Sequence, residues 1–240
     1  MNASDVIDRL WSDLTSSVVA PAEAVWISLA AVAVCLAIPT LWHVARHIVT
    51  LAHEAGHGLV AALTGRRVSG IRLHSDTSGL TESVGENRRL PLVLVALAGY
   101  PAPAALGLGA AGLLAAGHAT ALLWIAVAVL IVVLLFMRNI YGFLVTLLAA
   151  GAFGWLAWSA PEAWRVGVAY GVAWLLLLGA VRAVVELSAS RRGRGGRSGS
   201  DADALARLTR VPGGVWVAAF WLAAVACAVL GGWWMVGPVV

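Results

Sequence analysis

The sequence predicts an all-α membrane protein with about seven transmembrane helices, one of which carries a metal-binding motif, and a single short β-hairpin-like insert. Three observations lead to this. Of the 240 residues, 61% are hydrophobic and only 12% charged, against roughly 25% charged in an average soluble domain. Apolar stretches of about 20 residues, long enough to cross a bilayer core as a helix, recur along the chain. Only one sizeable polar segment, residues 66–89, lies between them. All sixteen basic residues are Arg, and they gather in a few loops. Basic loops beside membrane spans are first of all an orientation signal, and no nucleic-acid-binding motif accompanies them.

Residues 1–23 form an N-terminal tail with Asp5, Asp8, Asp13 and Glu23 but only Arg9, so it lacks the positive start of a cleaved signal. It reads as a short interfacial helix through Val6, Ile7, Leu10, Trp11 and Leu14, or as a poorly ordered tail. The integral-membrane domain is expected over 24–240. Its first span covers about 24–42, with Pro39 marking a kink or stop near the end. A second helix begins near His43 and ends at Gly65, a natural C-terminal stop.

The insert 66–89 carries Arg, Asp and Glu among Gly and Ser. Val68, Ile71 and Leu73 are separated from Leu80 and Val84 by the turn-prone Ser75-Asp76-Thr77-Ser78-Gly79, a weak hairpin pattern. The next span, about 90–116, is interrupted by Gly99-Tyr100-Pro101-Ala102-Pro103, where freed backbone groups need a neighbour or a water-lined cavity. Further spans cover about 121–137, 140–158, 166–187 and 215–235. Arg138 reads as an interfacial snorkelling residue. Asn139 reads as an interhelical hydrogen-bonding group or as a contact to a substrate backbone. Arg182 and Glu186, one turn apart, form an ion pair close to the surface. Residues 188–200 read as a flexible basic linker, followed by a short helix-like piece from Asp201. Cys35 and Cys227 lie far apart in apolar stretches and read as small hydrophobes.

The chemistry is concentrated in His53-Glu54-Ala55-Gly56-His57. Residues four apart on a helix share a face, so His53 and His57 can aim two imidazoles at one point. That point suits a zinc ion, and Glu54 can reach a water there as a general base without ligating. His and Glu are costly in apolar helices, which makes the trio a functional site by default. His43 and His47 share the same spacing, but His47 lies nearly two turns from Glu54, too far to join the site. His74 reads as a solvated loop residue. A catalytic zinc needs a third protein ligand. Asp5, Asp8, Asp13 and Asp76 sit in the tail or the insert, which leaves Asp201 and Asp203; one can cap the helix that starts there while the other binds. Counting spans back from the basic loop 188–212, taken as cytoplasmic, places the insert 66–89 on that same side.

The sequence resembles the site-2 protease-like intramembrane zinc metallopeptidases, in a small bacterial branch. The matching segments are His53-Glu54-Ala55-Gly56-His57, Gly65-Arg66-Arg67-Val68, Ser78-Gly79-Leu80-Thr81, and Ser200-Asp201-Ala202-Asp203-Ala204-Leu205 through Pro212 and Trp216. The resemblance implies Zn2+ held by His53, His57 and Asp201, with Asp203 the alternative. It also implies Glu54 activating water to cut a peptide bond in or near a transmembrane segment of a membrane-protein substrate. It implies an insert that holds unwound substrate near the metal, and a multi-pass place in the lipid bilayer of a bacterial plasma membrane. The Leu-Asp-Gly and Asn-Pro-Asp-Gly forms of the aspartate motif are absent. The competing readings are a non-catalytic zinc-binding membrane scaffold and a small transporter. The oligomeric state is not legible.

Overall fold

A computed structural model describes residues 2–193 and 199–237. The elements in order are α1 (Ala3–Thr15), α2 (Ala22–Ala37), α3 (Pro39–Leu63), β1 (Arg67–Leu73), β2 (Gly79–Val84), α4 (Arg89–Ala98), α5 (Pro101–Ala115), α6 (Ala119–Phe136), α7 (Ile140–Ser159), α8 (Glu162–Gly193), α9 (Asp201–Thr209) and α10 (Gly213–Val236). Four helices, α6, α7, α8 and α10, are each long and apolar enough to cross a membrane. Two further candidates are broken: α2 and α3 meet at 108°, and α4 and α5 at 59°. Among the described residues the number by length and composition is therefore four, or up to six if each bent pair is one span, where the sequence suggested about seven.

The difference lies in α3. Pro39, which has no N–H to give the ladder, starts this helix afresh. After the turn, both ends of α3 stay beside the hairpin. Near its start, His43 Nε2 lies 3.0 Å from the Ser75 carbonyl at the hairpin tip; at its end, Gly65 with φ +78° releases the chain directly into β1. The hairpin thus lies along α3. The opposite end of the molecule is marked by Val18, whose N–H donates to the Gly117 carbonyl at 3.0 Å. The chain from there through α2 reaches the hairpin end, and α4–α5, α6, α7, α8 and α10 then alternate between the two ends.

The core is built where small residues let helices close up. Gly107 of α5 has Leu177 of α8 so near that a Cβ there would lie 2.9 Å from its Cγ. Val25, Ala111, Leu123, Ala157, Ala169, Ala173, Leu177 and Met235 are buried in the largest apolar cluster. A second cluster joins Ala96, Val184, Leu187, Ala202, Leu205 and Phe220, and it fixes α9 against α4, α8 and α10. The N-terminal tail resolves as the helical alternative. In α1, Asp13 accepts from Trp124 Nε1 at 3.2 Å and pairs with Arg165 at 3.6 Å, while Ile7, Trp11 and Leu14 stay exposed.

β1 and β2 pair antiparallel, from Arg67 opposite Val84 to Leu73 opposite Gly79, with an irregularity between Val68 and Gly70. The tip is closed by local chemistry. The Ser78 hydroxyl and amide both donate to Asp76 Oδ1, at 2.6 and 2.9 Å, and hold that carboxyl below its usual range. At the base, Arg66 donates to the Ser83 hydroxyl, the Ser83 carbonyl and the Glu86 carbonyl. The second edge of β1 is covered by the α6–α7 corner: Met137 bridges Ile71 in parallel, and the Arg138 N–H donates to the Ile71 carbonyl at 2.9 Å. Arg138 also donates from Nε to Ser69, so it ties down the hairpin where a snorkelling role was expected.

Two more expectations change. Asn139 donates from Nδ2 to the Leu73 carbonyl at 2.7 Å and accepts the Leu73 N–H at 3.2 Å, acting as one more strand residue. Its amide is thereby occupied by the Leu73 backbone of β1. The basic linker expected over 188–200 begins as helix, since α8 continues to Gly193; residues 194–198 lie outside the described residues. Arg182 and Glu186 do pair, at 3.3 Å, but Glu186 also takes Trp42 Nε1 at 2.6 Å, so the pair faces inward. Cys35 and Cys227 are both free.

Because Leu73 is fully buried, changing Asn139 to Ala leaves a buried N–H and C=O without partners. We expect a loss of about 1–3 kcal/mol, read as a lower thermal midpoint in detergent and as faster amide exchange at Leu73. The conservative Asn139→Gln should not restore it, since its longer side chain misplaces both groups.

Candidate metal centre

Two helices distant in sequence make the centre. α3 presents His53 and His57 one turn apart, and α9 brings Asp201 to them from its first residue. Asp201 Oδ2 lies 3.3 Å from His53 Nε2 and 3.3 Å from His57 Nε2, and the two nitrogens are 3.1 Å apart. These are the three His, Cys, Asp or Glu side chains that converge as a group among the described residues. Asp203 is placed elsewhere. As the third residue of α9 it forms a reciprocal capping box with Ser200 and pairs with Arg191 from the end of α8. Of the two aspartates, the one that caps the helix is Asp203, and the one facing the histidines is Asp201.

The donor set fits a tetrahedral cation. His57 Nδ1 lies 2.7 Å from the Val95 carbonyl, which can only accept. Nδ1 therefore carries the proton, and Nε2 turns a lone pair inward. Oδ2 of Asp201 is sealed from solvent and accepts no hydrogen bond of good geometry. Atoms around a tetrahedral zinc at about 2.0–2.1 Å stand about 3.3–3.4 Å from one another. The three edges of 3.1, 3.3 and 3.3 Å match one face of that figure.

Glu54 sits beside this triangle and is itself buried, 4% exposed. The Thr81 hydroxyl lies 2.7 Å from Glu54 Oε2 and 3.0 Å from the Glu54 carbonyl, so one side chain of β2 meets both the base and its backbone. Oε1 has no protein donor among the described residues. It points along Gly79, where a Cβ would stand 2.5 Å away. Tyr100 packs edge-on against His53 at 4.9 Å and stacks on Phe220 at 5.0 Å, backing the first ligand with aromatic surface.

Two cavities meet at the centre. One, of about 590 Å³, runs between β2, α4 and α9 past Leu80, Val95 and Arg207. The other, of about 600 Å³, runs beneath the hairpin tip past Thr50, Thr77 and Glu186. His53, Glu54, Gly79, Tyr100 and Ser200 line both. His43 and His47 stay outside, as expected: His47 Nε2 is engaged by the Tyr141 hydroxyl at 2.8 Å. His74 remains exposed near Ser78.

Three residues important to this geometry were not identified as site residues from sequence. Gly99, in the predicted break between α4 and α5, touches the ligands: a Cβ there would lie 2.6 Å from His53 Cε1 and closer still to His57 Nε2. Gly79 and Thr81 frame Glu54. The signal for Gly99 was the Gly-Tyr-Pro break itself; Gly79 and Thr81 lay within a recognised segment, but nothing in their spacing pointed at Glu54.

The comparisons with known proteins agree in part. A family model described as Peptidase M50B-like matches residues 26–231. No curated protein and no solved structure gives a significant match.

The two glycines should separate metal from base. Gly99→Ala pushes on both histidines, and we expect zinc affinity to fall at least about tenfold, within the range seen for disturbed ligand support. Gly79→Ala pushes on Glu54 alone; bound zinc should be retained while turnover falls. Metal titration of the two variants, with circular dichroism to check helicity, tests the separation. Equal zinc affinity in wild type and Gly99→Ala would contradict the placement of Gly99.

Proposed function

The chain belongs to the Peptidase M50B-like family, and from that premise we propose that it is an intramembrane zinc metallopeptidase. Its reaction is hydrolysis of a peptide bond in or near a transmembrane segment of another membrane protein. The observation that carries the reading is the triangle of His53, His57 and Asp201 with Glu54 beside it. His53, His57 and Asp201 would hold the metal. Zinc, when bound, supplies a Lewis acid and makes water a nucleophile near neutral pH.

The rest is done by side chains of this chain. Glu54 keeps one oxygen on the Thr81 hydroxyl and one without a protein donor. That second oxygen takes the proton of the attacking water and returns it to the leaving amine. Asp201 and the imidazole of His57, oriented by the Val95 carbonyl, stay fixed while this happens. A helical substrate hides its carbonyls in its own hydrogen bonds, so it must be held extended. β2 offers the means: β1 occupies one of its edges, and among the described residues the other has no strand partner, while Gly79, Leu80 and Thr81 line the cleft. Edge addition of an unwound segment to β2 would carry its backbone past the metal.

The arginines support an orientation. Arg66, Arg67, Arg88, Arg89 and Arg138 sit at the hairpin end, with Arg191 and Arg207 around α9, whereas Arg9 and Arg165 mark the opposite end. By the positive-inside rule the hairpin and α9 face the cytoplasm of a bacterial cell.

Protein purified in detergent should carry about one zinc per chain. His53→Ala and Asp201→Ala should lose it and Asp203→Ala should keep it, as measured by elemental analysis. Glu54→Gln should keep zinc and lose at least about a hundredfold in cleavage of single-span membrane peptides, read by mass spectrometry. Folded wild type without zinc would sink the reading. Zinc with no cleavage of any peptide, and a fourth protein ligand on the metal, would favour a scaffold.

A further inference from the structure

The cavity beneath the hairpin tip holds a cation that the chemistry above does not use. Arg46 lies on α3 seven residues before His53, nearly two full turns, and so on the same face of the helix, about 10 Å along its axis. It lines the cavity together with Glu186, His53 and Glu54. Its one ionic contact among the described residues is loose: Nη2 stands 3.4 Å from Glu186 Oε2. Glu186 is held mainly through its other oxygen, to which Trp42 Nε1 donates at 2.6 Å and Arg182 Nε at 3.3 Å. Arg46 itself makes no hydrogen bond of good geometry in the described structure, although a guanidinium has five N–H donors in a planar fork. Two arginines thus face one carboxylate, and the one nearer the metal has its donors to spare. The surrounding wall is hydroxylic, with Thr50, Ser78 and Ser190.

We propose that this cavity is a substrate subsite for a carboxylate side chain, read by Arg46, about three residues from the bond that is cut. The proposal rests on the peptidase reading and adds its specificity. The spacing follows from the geometry: about 10 Å along α3 equals about three residues of extended chain at ~3.3 Å each. A strand laid along the hairpin from the β2 side, past His53 and Glu54, enters the tip cavity and passes Arg46. An Asp or Glu at that position completes a planar, charge-assisted pair. A Lys or Arg there meets the like charge of Arg46. Arg46 is a specificity-determining residue; it touches none of the reacting atoms.

The test uses full-length zinc-loaded protein in detergent and two peptide hydroxamates, identical except for Glu or Gln three residues from the zinc-binding group, with binding measured by calorimetry. The Glu peptide should bind wild type about tenfold more tightly. The preference should vanish in Arg46→Gln, which leaves Trp42 and Arg182 holding Glu186, and a Lys peptide should overtake both in Arg46→Glu. The same Glu-to-Gln ratio in wild type and Arg46→Gln would overturn the subsite, as would failure of both peptides to bind protein shown to contain zinc. A free terminal carboxylate as the true ligand would appear as tight binding only of peptides ending at that position. Absence of zinc in the wild type would instead fail the peptidase reading, and the metal analysis distinguishes that case.

Discussion

Much of this structure depends on one electrostatic constraint: two imidazole nitrogens and a carboxylate oxygen are held within 3.3 Å of one another in a site largely shielded from water. Each is an electron-pair donor, and such atoms do not gather without a cation or shared protons between them. Their convergence costs desolvation and repulsion, which the packing around them must offset. The apolar cluster of Ala202, Leu205 and Phe220 fastens α9 to the bundle, and Asp203 fixes its first turn through Ser200 and Arg191. These supports leave Asp201 the freedom to face the histidines.

Absence of side chains matters as much as their presence. A Cβ at Gly99 would press on His53 and His57, and one at Gly79 would press on Glu54. Gly56, between the two histidines, would meet the Ala98 carbonyl at 3.1 Å and Ala102 closer still, so α3 and the α4–α5 bend touch at the level of the metal. The same bend delivers the Val95 carbonyl to His57. A break that looks like a helix defect in the sequence is the device that lets backbone approach an imidazole pair. Thr81 does the corresponding work on the other side, meeting side chain and carbonyl of Glu54 with a single hydroxyl.

What could be read from sequence divides by range. His53 and His57 were legible because a four-residue spacing fixes a shared helical face with no tertiary knowledge. The hairpin was legible because Asp76, Ser78 and Gly79 carry turn chemistry within a few residues. Asp201 against Asp203 was not, since both stand in the first turn of one helix and only Arg191, from another helix, takes one of them away. Asn139 could not be placed because its partner, the Leu73 backbone, is 66 residues distant and exposes no side-chain signature. The span count of about seven took residues 39–63 as a crossing of their own; that helix is apolar enough only together with α2, and nothing in its composition records the 108° turn at Pro39.

That turn bears on function. A helix crossing the bilayer upright would offer its histidines to a substrate helix running beside it, with both backbones already hydrogen-bonded internally. Neither would have a donor or acceptor to give the other. With α3 turned so that both its ends meet the hairpin, the metal face lies along a strand instead. Among the described residues the outer edge of β2 has no strand partner, and Gly79 to Thr81 put that edge within the cleft that Glu54 lines. In the proposed reaction, a polypeptide that traded its helical hydrogen bonds for those of β2 would keep its polar groups paired and expose one carbonyl at a time to the metal side. The cost of unwinding is thus met locally by the strand edge, which would select segments that leave the helix easily over those that are most apolar.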